Sequence, residues 1–113
     1  MKGFSKEQII SAVQEAQSEA AQATNQFLAK HGDRDACGFA WVDIFGIRSN
    51  SKEGKALVEA GFRKSYTGGL QMWDPSKSFT QSISAKEAGT EAFVQYFRAR
   101  FPEVRVYAGS RLD

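Results

Sequence analysis

Cysteine, proline and histidine are scarce in this chain, which has one cysteine, two prolines and one histidine among 113 residues. Cys37 alone cannot form a disulfide within the chain, and a zinc site built on cysteines would lack ligands. No segment approaches the roughly 20 apolar residues that span a membrane, and residues 1–5 have neither the apolar run nor the cleavage site of a signal peptide. These absences predict a cytoplasmic protein with no membrane segment, metal or cofactor.

The charge balance is too weak to identify a class of partner. The net charge is +2 and the pI is about 8.8, whereas dedicated nucleic-acid-binding proteins usually carry a basic run or face. Aromatic residues make up 12% of the chain, which favours a packed core over disorder. The length predicts a single α+β domain over residues 1–113, with a core small enough that oligomerisation would add stability.

Residues 5–31 are predicted to form one long helix. Ser5 and Gln8 have the spacing of a capping box, in which the Ser5 hydroxyl accepts from the Gln8 amide and the Gln8 side chain reaches back. Gly32 is placed to end the helix. Such a helix is about 40 Å long at 1.5 Å per residue, yet a compact chain of this length has a radius of gyration of only about 13 Å. The helix therefore overhangs its domain or lies along something larger.

The apolar stripe of this helix predicts a homodimer. Its members recur at spacings of three and four residues, with large side chains at the ends and alanine in the middle, where another element can approach closely. An antiparallel helix from a second chain fits this pattern, and the sheet of the same chain is the alternative partner. The predicted interface residues are Ile9, Val13, Ala16, Ala20, Ala23 and Phe27.

Residues 36–108 are predicted to form a βαββαβ body, which is a ferredoxin-like antiparallel sheet with its helices on one face. The apolar run 37–45 indicates a central strand. Its alternation is predicted to place Phe39, Trp41 and Phe45 on one face and Ala40, Val42 and Ile44 on the other. Thr67-Gly68-Gly69 indicates a hairpin between strands at 62–66 and 70–73. This topology places strands 37–45 and 70–73 side by side.

Capping signals predict the starts of two further helices. Asn50 with Glu53 precedes a short helix that ends at Gly61, and Ser84 with Glu87 forms a second capping box. The last strand is predicted over residues 103–108. The segment 79–83 is open to two interpretations, an edge strand or a loop.

The sheet face that carries Phe39 and Trp41 needs either a cover or a ligand. Aromatic side chains on the central strands of an open sheet are how RNA-recognition modules stack bases. We expect the long helix to cover this face, because that helix needs a surface and no RNP1-type motif is present. The alternative is a single-stranded nucleic-acid-binding surface, with phosphate contacts from Arg63, Lys64, Arg105 and Arg111.

Two glycine-containing loops, each with a tyrosine, predict a pocket for an anionic small molecule such as a nucleotide. The start of the second helix would contribute free amides and a favourable dipole, and arginine can grip a phosphate through two hydrogen bonds. Neither loop is a P-loop or a GxGxxG motif, and turn chemistry alone is the alternative explanation of the glycines. The predicted ligand-binding residues are Arg48, Ser49, Asn50, Tyr66, Gly68, Gly69, Tyr107, Ser110 and Arg111.

Signals for catalysis are weak. Cys37 lies close in sequence to His31, Asp33 and Asp35, which are residue types found in nucleophilic catalysis. However, Cys37 begins a strand that we expect to be buried, where a free cysteine is usually inert. His31 is explained by the negative end of the helix dipole. We therefore expect no catalytic residues.

Three stretches resemble small uncharacterised proteins of marine tailed bacteriophages, cyanophages included. They are CGFAWV at 37–42, the segment from SYTGG to WDPS at 65–76, and YAGSRLD at 107–113. The resemblance implies an accessory protein made in an infected bacterial cell and acting on host factors or nucleotide signals. Together with the helix stripe and the glycine loops, it leads us to expect a non-enzymatic homodimeric binding protein whose ligand is an anionic small molecule or a host protein.

Overall fold

The structure is a computed structural model that describes residues 1–66 and 68–113. In those ranges the chain is α+β, with a long N-terminal helix and a four-stranded antiparallel sheet whose strand order is β2-β3-β1-β4. The inner strands are therefore β1 and β3. The elements, in chain order, are α1 (Lys6–His31), β1 (Gly38–Phe45), α2 (Lys52–Glu59), β2 (Arg63–Lys64), β3 (Leu70–Trp73), α3 (Ile83–Arg100) and β4 (Arg105–Leu112).

The predicted ends of α1 are confirmed. The Ser5 hydroxyl accepts a hydrogen bond from the Gln8 amide while the Gln8 side chain accepts from the Ser5 amide, at 3.1 and 2.8 Å. Gly32 ends the helix with a φ of 75°, a conformation that favours glycine. The molecule is 42 Å along its longest axis, which is close to the length of α1. None of the helices in the described ranges has an apolar stretch long enough to cross a bilayer.

The apolar stripe of α1 is buried within its own chain. Ile9, Val13, Ala16 and Ala20 are all 0% exposed, because α1 packs mainly on α3 and also on α2. The main partner of the stripe is therefore α3, and neither of the two predicted partners, a second chain or the sheet, is needed to bury it. Dimerisation itself stays a prediction, but these four side chains could reach a second chain only if α1 left α3. The other predicted members, Ala23 and Phe27, are partly exposed.

The two helices α1 and α3 come close together at Gly89. A Cβ atom at this position would lie 2.3 Å from Thr24 Oγ1 and 3.0 Å from the Ala20 carbonyl oxygen. The buried Thr24 hydroxyl also donates a hydrogen bond of 2.9 Å to the Ala85 carbonyl of α3. A glycine and small residues therefore allow the two backbones to come together, and the Thr24 hydrogen bond ties them.

The helices pack on one face of the sheet and share a core with it. Ala40, Val42 and Ile44 point to that face and are at most 1% exposed, whereas the alternate residues of β1 are only half-buried. This alternation confirms the two faces predicted for the strand. The large side chains fully buried in this core include Ile9 and Val13 of α1, Leu57 of α2, Leu70 of β3, Phe93, Val94 and Phe97 of α3, and Val106 of β4.

The predicted starts of two helices are wrong by one or two residues. The N-cap of α2 is Ser51, whose hydroxyl accepts from the Gly54 amide at 3.0 Å, and not Asn50. The N-cap of α3 is Ser82, which accepts from the Ala85 amide at 3.1 Å, and not Ser84. The Ser84 amide instead donates to the Asp35 carboxylate at 3.0 Å. A carboxylate distant in sequence thus satisfies an amide of the first turn that a local cap would otherwise have to satisfy.

The hairpin between β2 and β3 is present, with Arg63 opposite Gln71 and Lys64 opposite Leu70. Thr67 of the predicted turn lies outside the described residues. In the segment 79–83, the described structure has only an isolated bridge between Ser82 and Cys37, so the segment is not a strand of the sheet. The last strand extends to Leu112, which carries the body beyond its predicted end at residue 108.

We expect Gly89→Ala to lower the free energy of unfolding in urea. Overpacking of a filled contact costs about 1–3 kcal/mol, and the gain in helix propensity of about 1 kcal/mol offsets only part of it. The Ala20 carbonyl oxygen belongs to the backbone of α1 and cannot swing aside. Gln95→Ala, an exposed change in the same helix, should shift stability by less than about 0.5 kcal/mol. Equal stability of both variants would contradict the close contact.

Candidate functional site

The sheet face opposite the helices, called here the open face, is formed by alternate residues of all four strands. Antiparallel pairing places partners on the same face, so Phe39 lies opposite Arg111, Trp41 opposite both Trp73 and Gly109, and Asp43 opposite both Gln71 and Tyr107. The strand residues of the open face are Phe39, Trp41, Asp43, Phe45, Arg63, Gln71, Trp73, Arg105, Tyr107, Gly109 and Arg111.

The expectation that the long helix covers Phe39 and Trp41 is wrong. Because α1 packs on α3 and α2, it belongs to the helical side of the sheet. Trp73 is 47% exposed and Tyr107 is 46% exposed, which are high values for aromatic residues in a sheet. The open face therefore presents several large aromatic side chains to solvent.

Three of these side chains form what we call the aromatic cluster, which consists of Phe39, Trp41 and Trp73. The ring centroids of Trp41 and Trp73 are 4.8 Å apart with an angle of 33° between the planes, and those of Phe39 and Trp73 are 5.9 Å apart at 69°. The cluster joins the two inner strands, since Phe39 and Trp41 belong to β1 and Trp73 to β3.

Gly109 of β4 forms the floor beneath Trp41. A Cβ atom on Gly109 would lie 2.4 Å from Trp41 Nε1 and 2.5 Å from Cε2, so the indole lies against the backbone of the neighbouring strand. The absence of a side chain at Gly109 allows this close approach. The predicted glycine loop at 107–111 is therefore wrong, because these residues are a strand whose glycine accommodates a ring.

A chain of hydrogen bonds, called here the polar bridge, fixes both indoles. Trp73 Nε1–H donates to Gln71 Oε1 at 2.7 Å, and Gln71 Nε2–H donates to Asp43 Oδ1 at 2.8 Å. Trp41 Nε1–H donates to Asp43 Oδ2 at 3.0 Å. The bridge thus uses both indole N–H groups and joins β1 to β3 beside the aromatic cluster.

Two cations, Arg111 and Lys86, lie beside the aromatic cluster. The Arg111 guanidinium lies 5.6 Å from the Phe39 ring and 5.9 Å from the Trp73 ring, and Lys86 Nζ lies 5.5 Å from the Phe39 ring. These distances are within the range of cation–π attraction. The face thereby combines aromatic surface with positive charge, which is a combination suited to bases and phosphates.

A second aromatic pair lies further along β1. The ring centroids of Phe45 and Tyr107 are 6.0 Å apart, and the Arg98 guanidinium lies 5.4 Å from the Tyr107 ring. Arg105 is the register partner of Phe45. Asp43 and the polar bridge thus lie between two aromatic patches, each of which has arginine beside it.

The structure brings together five of the nine residues predicted to bind an anionic ligand. These five line one cavity of about 370 Å³ together with Lys64: Arg48, Ser49, Asn50, Gly68 and Gly69. Tyr66 is fully exposed and does not line it. Tyr107 and Arg111 lie on the open face, and the Ser110 hydroxyl donates to Glu87 Oε2 at 2.6 Å. The nine residues therefore do not form the single pocket that was predicted.

The residues considered for catalysis do not form a reactive group. Cys37 is exposed rather than buried as predicted. Asp33 accepts hydrogen bonds from the Thr80 hydroxyl and the Ser82 amide. Hydrogen bonds from Ser82 and Ser84 lower the pKa of the Asp35 carboxyl, which identifies it as a structural acceptor for the start of α3. In the described part of the chain, no three His, Cys, Asp or Glu side chains are grouped closely enough to hold a metal ion.

Gln71, Trp73 and the role of Asp43 were not predicted from the sequence. The available signal was spacing: Trp41 with Asp43 and Gln71 with Trp73 are each two residues apart in a predicted strand, so each pair shares a face. The register that aligns the two pairs could not be deduced from spacing alone.

A comparison with protein-family models and searches of curated proteins and of solved structures found no match to this chain.

We expect Gly109→Ala to displace the Trp41 ring. The added methyl group would force the indole away from the sheet, break its 3.0 Å hydrogen bond to Asp43, and shift its fluorescence emission to longer wavelength as the ring enters water. A Trp73→Phe background leaves Trp41 as the single emitter, because the chain has two tryptophans. Ala108→Ser, a change at the neighbouring residue, is the control. An unchanged emission maximum in the Gly109 variant would contradict the assigned position of the ring.

Proposed function

We propose that this protein binds single-stranded nucleic acid on its open face, with bases stacked on the aromatic cluster. The observation that carries the proposal is the side-by-side display of Trp41 and Trp73 on the two inner strands, on a face that no helix occupies in the described structure. Stacking on aromatic side chains is the common means of holding unpaired bases, since every base has a π-face.

The geometry of the two indoles limits how a base can stack. A base inserted between two rings needs a gap of roughly 7 Å, twice the carbon–carbon contact distance of about 3.5 Å. The Trp41 and Trp73 centroids are 4.8 Å apart, and Trp41 also lies against the Gly109 backbone. A base would therefore stack on the outward surface of Trp73, which is 47% exposed. Because the polar bridge already fixes both rings, binding would cost little side-chain entropy.

The charges of the open face also support this ligand. Arg63, Arg105 and Arg111 occupy its outer strands, where they could contact phosphates on either side of the aromatic cluster. Asp43 is the single acidic residue among the face positions of the four described strands, and hydrogen bonds engage both of its oxygens. A net charge of only +2 is consistent with a short binding site rather than a long one.

We infer further that the body is a ferredoxin-like variant in which α1 joins the helix layer. The β-α-β-β-α-β order that follows α1 and the inner position of β1 and β3 support this inference. Sheets of this kind that leave one face free are the platform used by RNA-recognition modules. Homodimerisation and an origin in phage-infected bacteria stay predictions.

A second candidate function is anion binding in the cavity between the α2 start and the hairpin. Arg48 and Lys64 line this cavity together with Asn50, Gly68 and Gly69, and no acidic side chain lines it among the described residues. It retains the core of the site predicted from the sequence. It is the weaker candidate, because its cations Arg48 and Lys64 lie on a loop and on an edge strand.

For the cavity, we expect inorganic phosphate or AMP to shift the amide NMR signals of residues 48–52 and 68–69. Arg48→Gln should weaken the shifts several-fold, because it removes a cation from the cavity. Arg34→Gln, an exposed change outside the cavity, should leave them unchanged. Titration to millimolar ligand without shifts in these residues would exclude the second candidate.

For the open face, we expect single-stranded oligonucleotides of about ten nucleotides to quench tryptophan fluorescence at low salt. Both tryptophans lie on the open face, so quenching reports this surface. Loss of one stacked base typically costs about 1–3 kcal/mol, so Trp73→Ala should weaken binding by about 5- to 150-fold. Phe79→Ala removes a fully exposed aromatic residue outside the sheet and should bind like the parent chain.

Three measurements would separate this proposal from its competitors. Binding should weaken as salt rises, since displaced counterions accompany each phosphate contact. Double-stranded DNA should compete poorly, because its bases are already stacked. A different set of results would assign the open face to a second copy of the chain. Fluorescence would stay unchanged at low salt, and the mass by light scattering would be that of two chains at micromolar concentration. In Trp73→Ala the mass would return to that of one chain.

A further inference from the structure

We propose that the polar bridge gives the open face a preference for guanine at the base that stacks beside Asp43. This inference rests on the proposed function, since it names which base the nucleic-acid surface selects. It is carried by the hydrogen-bonding capacity that the bridge leaves unused.

Most of the hydrogen-bond donors at the centre of the face are already engaged within the bridge. Trp73 Nε1–H is engaged by Gln71, and Trp41 Nε1–H is engaged by Asp43. One of the two Nε2 hydrogens of Gln71 is engaged by Asp43. Neither indole N–H group is therefore available to donate a hydrogen bond to an incoming base, as the N–H of an unpaired tryptophan would be.

The acceptors, by contrast, are only partly used. An ionised carboxylate has about four acceptor positions on its two oxygens, and Asp43 accepts one hydrogen bond on Oδ1 and one on Oδ2 from within the bridge. Gln71 Oε1 accepts one bond from Trp73 and has a second lone pair. The centre of the face is thus rich in acceptors, carries a negative charge, and is only half-buried.

Guanine is the base whose edge fits this arrangement best. Its Watson–Crick edge has two adjacent donors, N1–H and the N2 amino group, which can bind both oxygens of one carboxylate. Uracil and thymine place a single N3–H between two carbonyl oxygens that the carboxylate repels. Adenine and cytosine offer one amino group beside an acceptor nitrogen. The expected order of preference is guanine first and uracil or thymine last.

The distance between the stacking surface and the carboxylate also fits. Trp41 and Asp43 are two residues apart on one face of β1, which places them roughly 7 Å apart along the strand. A base stacked on Trp73, the register partner of Trp41, could therefore direct its edge towards Asp43. The hydrogen bonds from Trp41 and Gln71 hold the carboxylate in place, so reading the base would require little rearrangement.

The test compares labelled ten-nucleotide strands by fluorescence anisotropy with the intact protein. One strand is all uridine, and the others carry a single central guanosine, adenosine or cytidine, which avoids the self-association of guanine-rich strands. One well-formed bidentate contact typically discriminates by about 5- to 150-fold, and we expect the guanosine strand to bind more tightly than the uridine strand by a factor in this range. Equal affinity of the four strands would overturn the guanine preference while leaving the proposed function intact.

Changes in the ligand test the same contact without altering the protein. Inosine lacks the N2 amino group of guanosine and should lose most of the preference. In 7-deazaguanosine the Watson–Crick edge is intact and only N7 is lost, so it should bind like guanosine. If inosine bound as tightly as guanosine, or if 7-deazaguanosine lost the preference, the base would not be read by the carboxylate.

A matched pair of protein variants completes the test. Asp43→Asn should abolish the preference for guanosine, because its amide has one acceptor oxygen in place of two. It also loses one hydrogen bond of the polar bridge, so the readout is the ratio of the guanosine and uridine affinities, which should fall to about one. Glu91→Gln removes one negative charge from an exposed position on α3 and should retain the preference. Circular dichroism and tryptophan emission check that both variants fold. A guanosine preference that survived in folded Asp43→Asn would overturn the inference, whereas absence of binding by any strand to the parent chain would overturn the proposed function itself.

Discussion

The close approach of α1 to α3 at Gly89 decides which face of the sheet is left open. A helix of 26 residues needs a long apolar surface, and its stripe of alanines buries little area unless its partner comes near. The missing side chain at Gly89 and the hydrogen bond from Thr24 to the α3 backbone permit that approach. Because α3 and α2 bury the apolar stripe of α1, no helix in the described structure remains to cover the opposite face.

Because no helix covers the open face, its aromatic side chains are held by contacts within the sheet itself. Trp41 lies against the backbone at Gly109, and the polar bridge supplies a partner for each indole N–H group. These contacts give the rings fixed orientations although water reaches them. The rigidity of the aromatic cluster thus follows from strand register, since only the pairing of β1 with β3 aligns Asp43 with Gln71 and Trp41 with Trp73.

Local patterns predicted most of the elements, and long-range contacts account for the larger errors. The one-residue error at the start of α2 is local, since Ser51 caps this helix in place of its neighbour Asn50. The capping box at Ser5, the alternation in β1 and the glycine hairpin each depend on neighbours in sequence, and they were predicted correctly. The start of α3 was misplaced because Asp35, far away in sequence, satisfies the Ser84 amide. Residues 109–111 were predicted to be a loop, because the structural reason for Gly109 is the ring of Trp41 on another strand. The partner of α1 was likewise undetermined, since an alanine stripe fits any surface that can approach closely.

The chemistry of the open face distinguishes among the ligands that could occupy it. A dry contact with a second copy would bury Asp43 and three arginines, and burying charges without well-placed partners costs several kcal/mol for each ion. A single strand of nucleic acid avoids this cost, because phosphates can pair with the arginines, π-faces can stack on the indoles, and a donor edge can meet Asp43. Each kind of group on the face then has a partner. The mixture of aromatic, cationic and acceptor groups, rather than the aromatic residues alone, is what favours nucleic acid over an apolar partner.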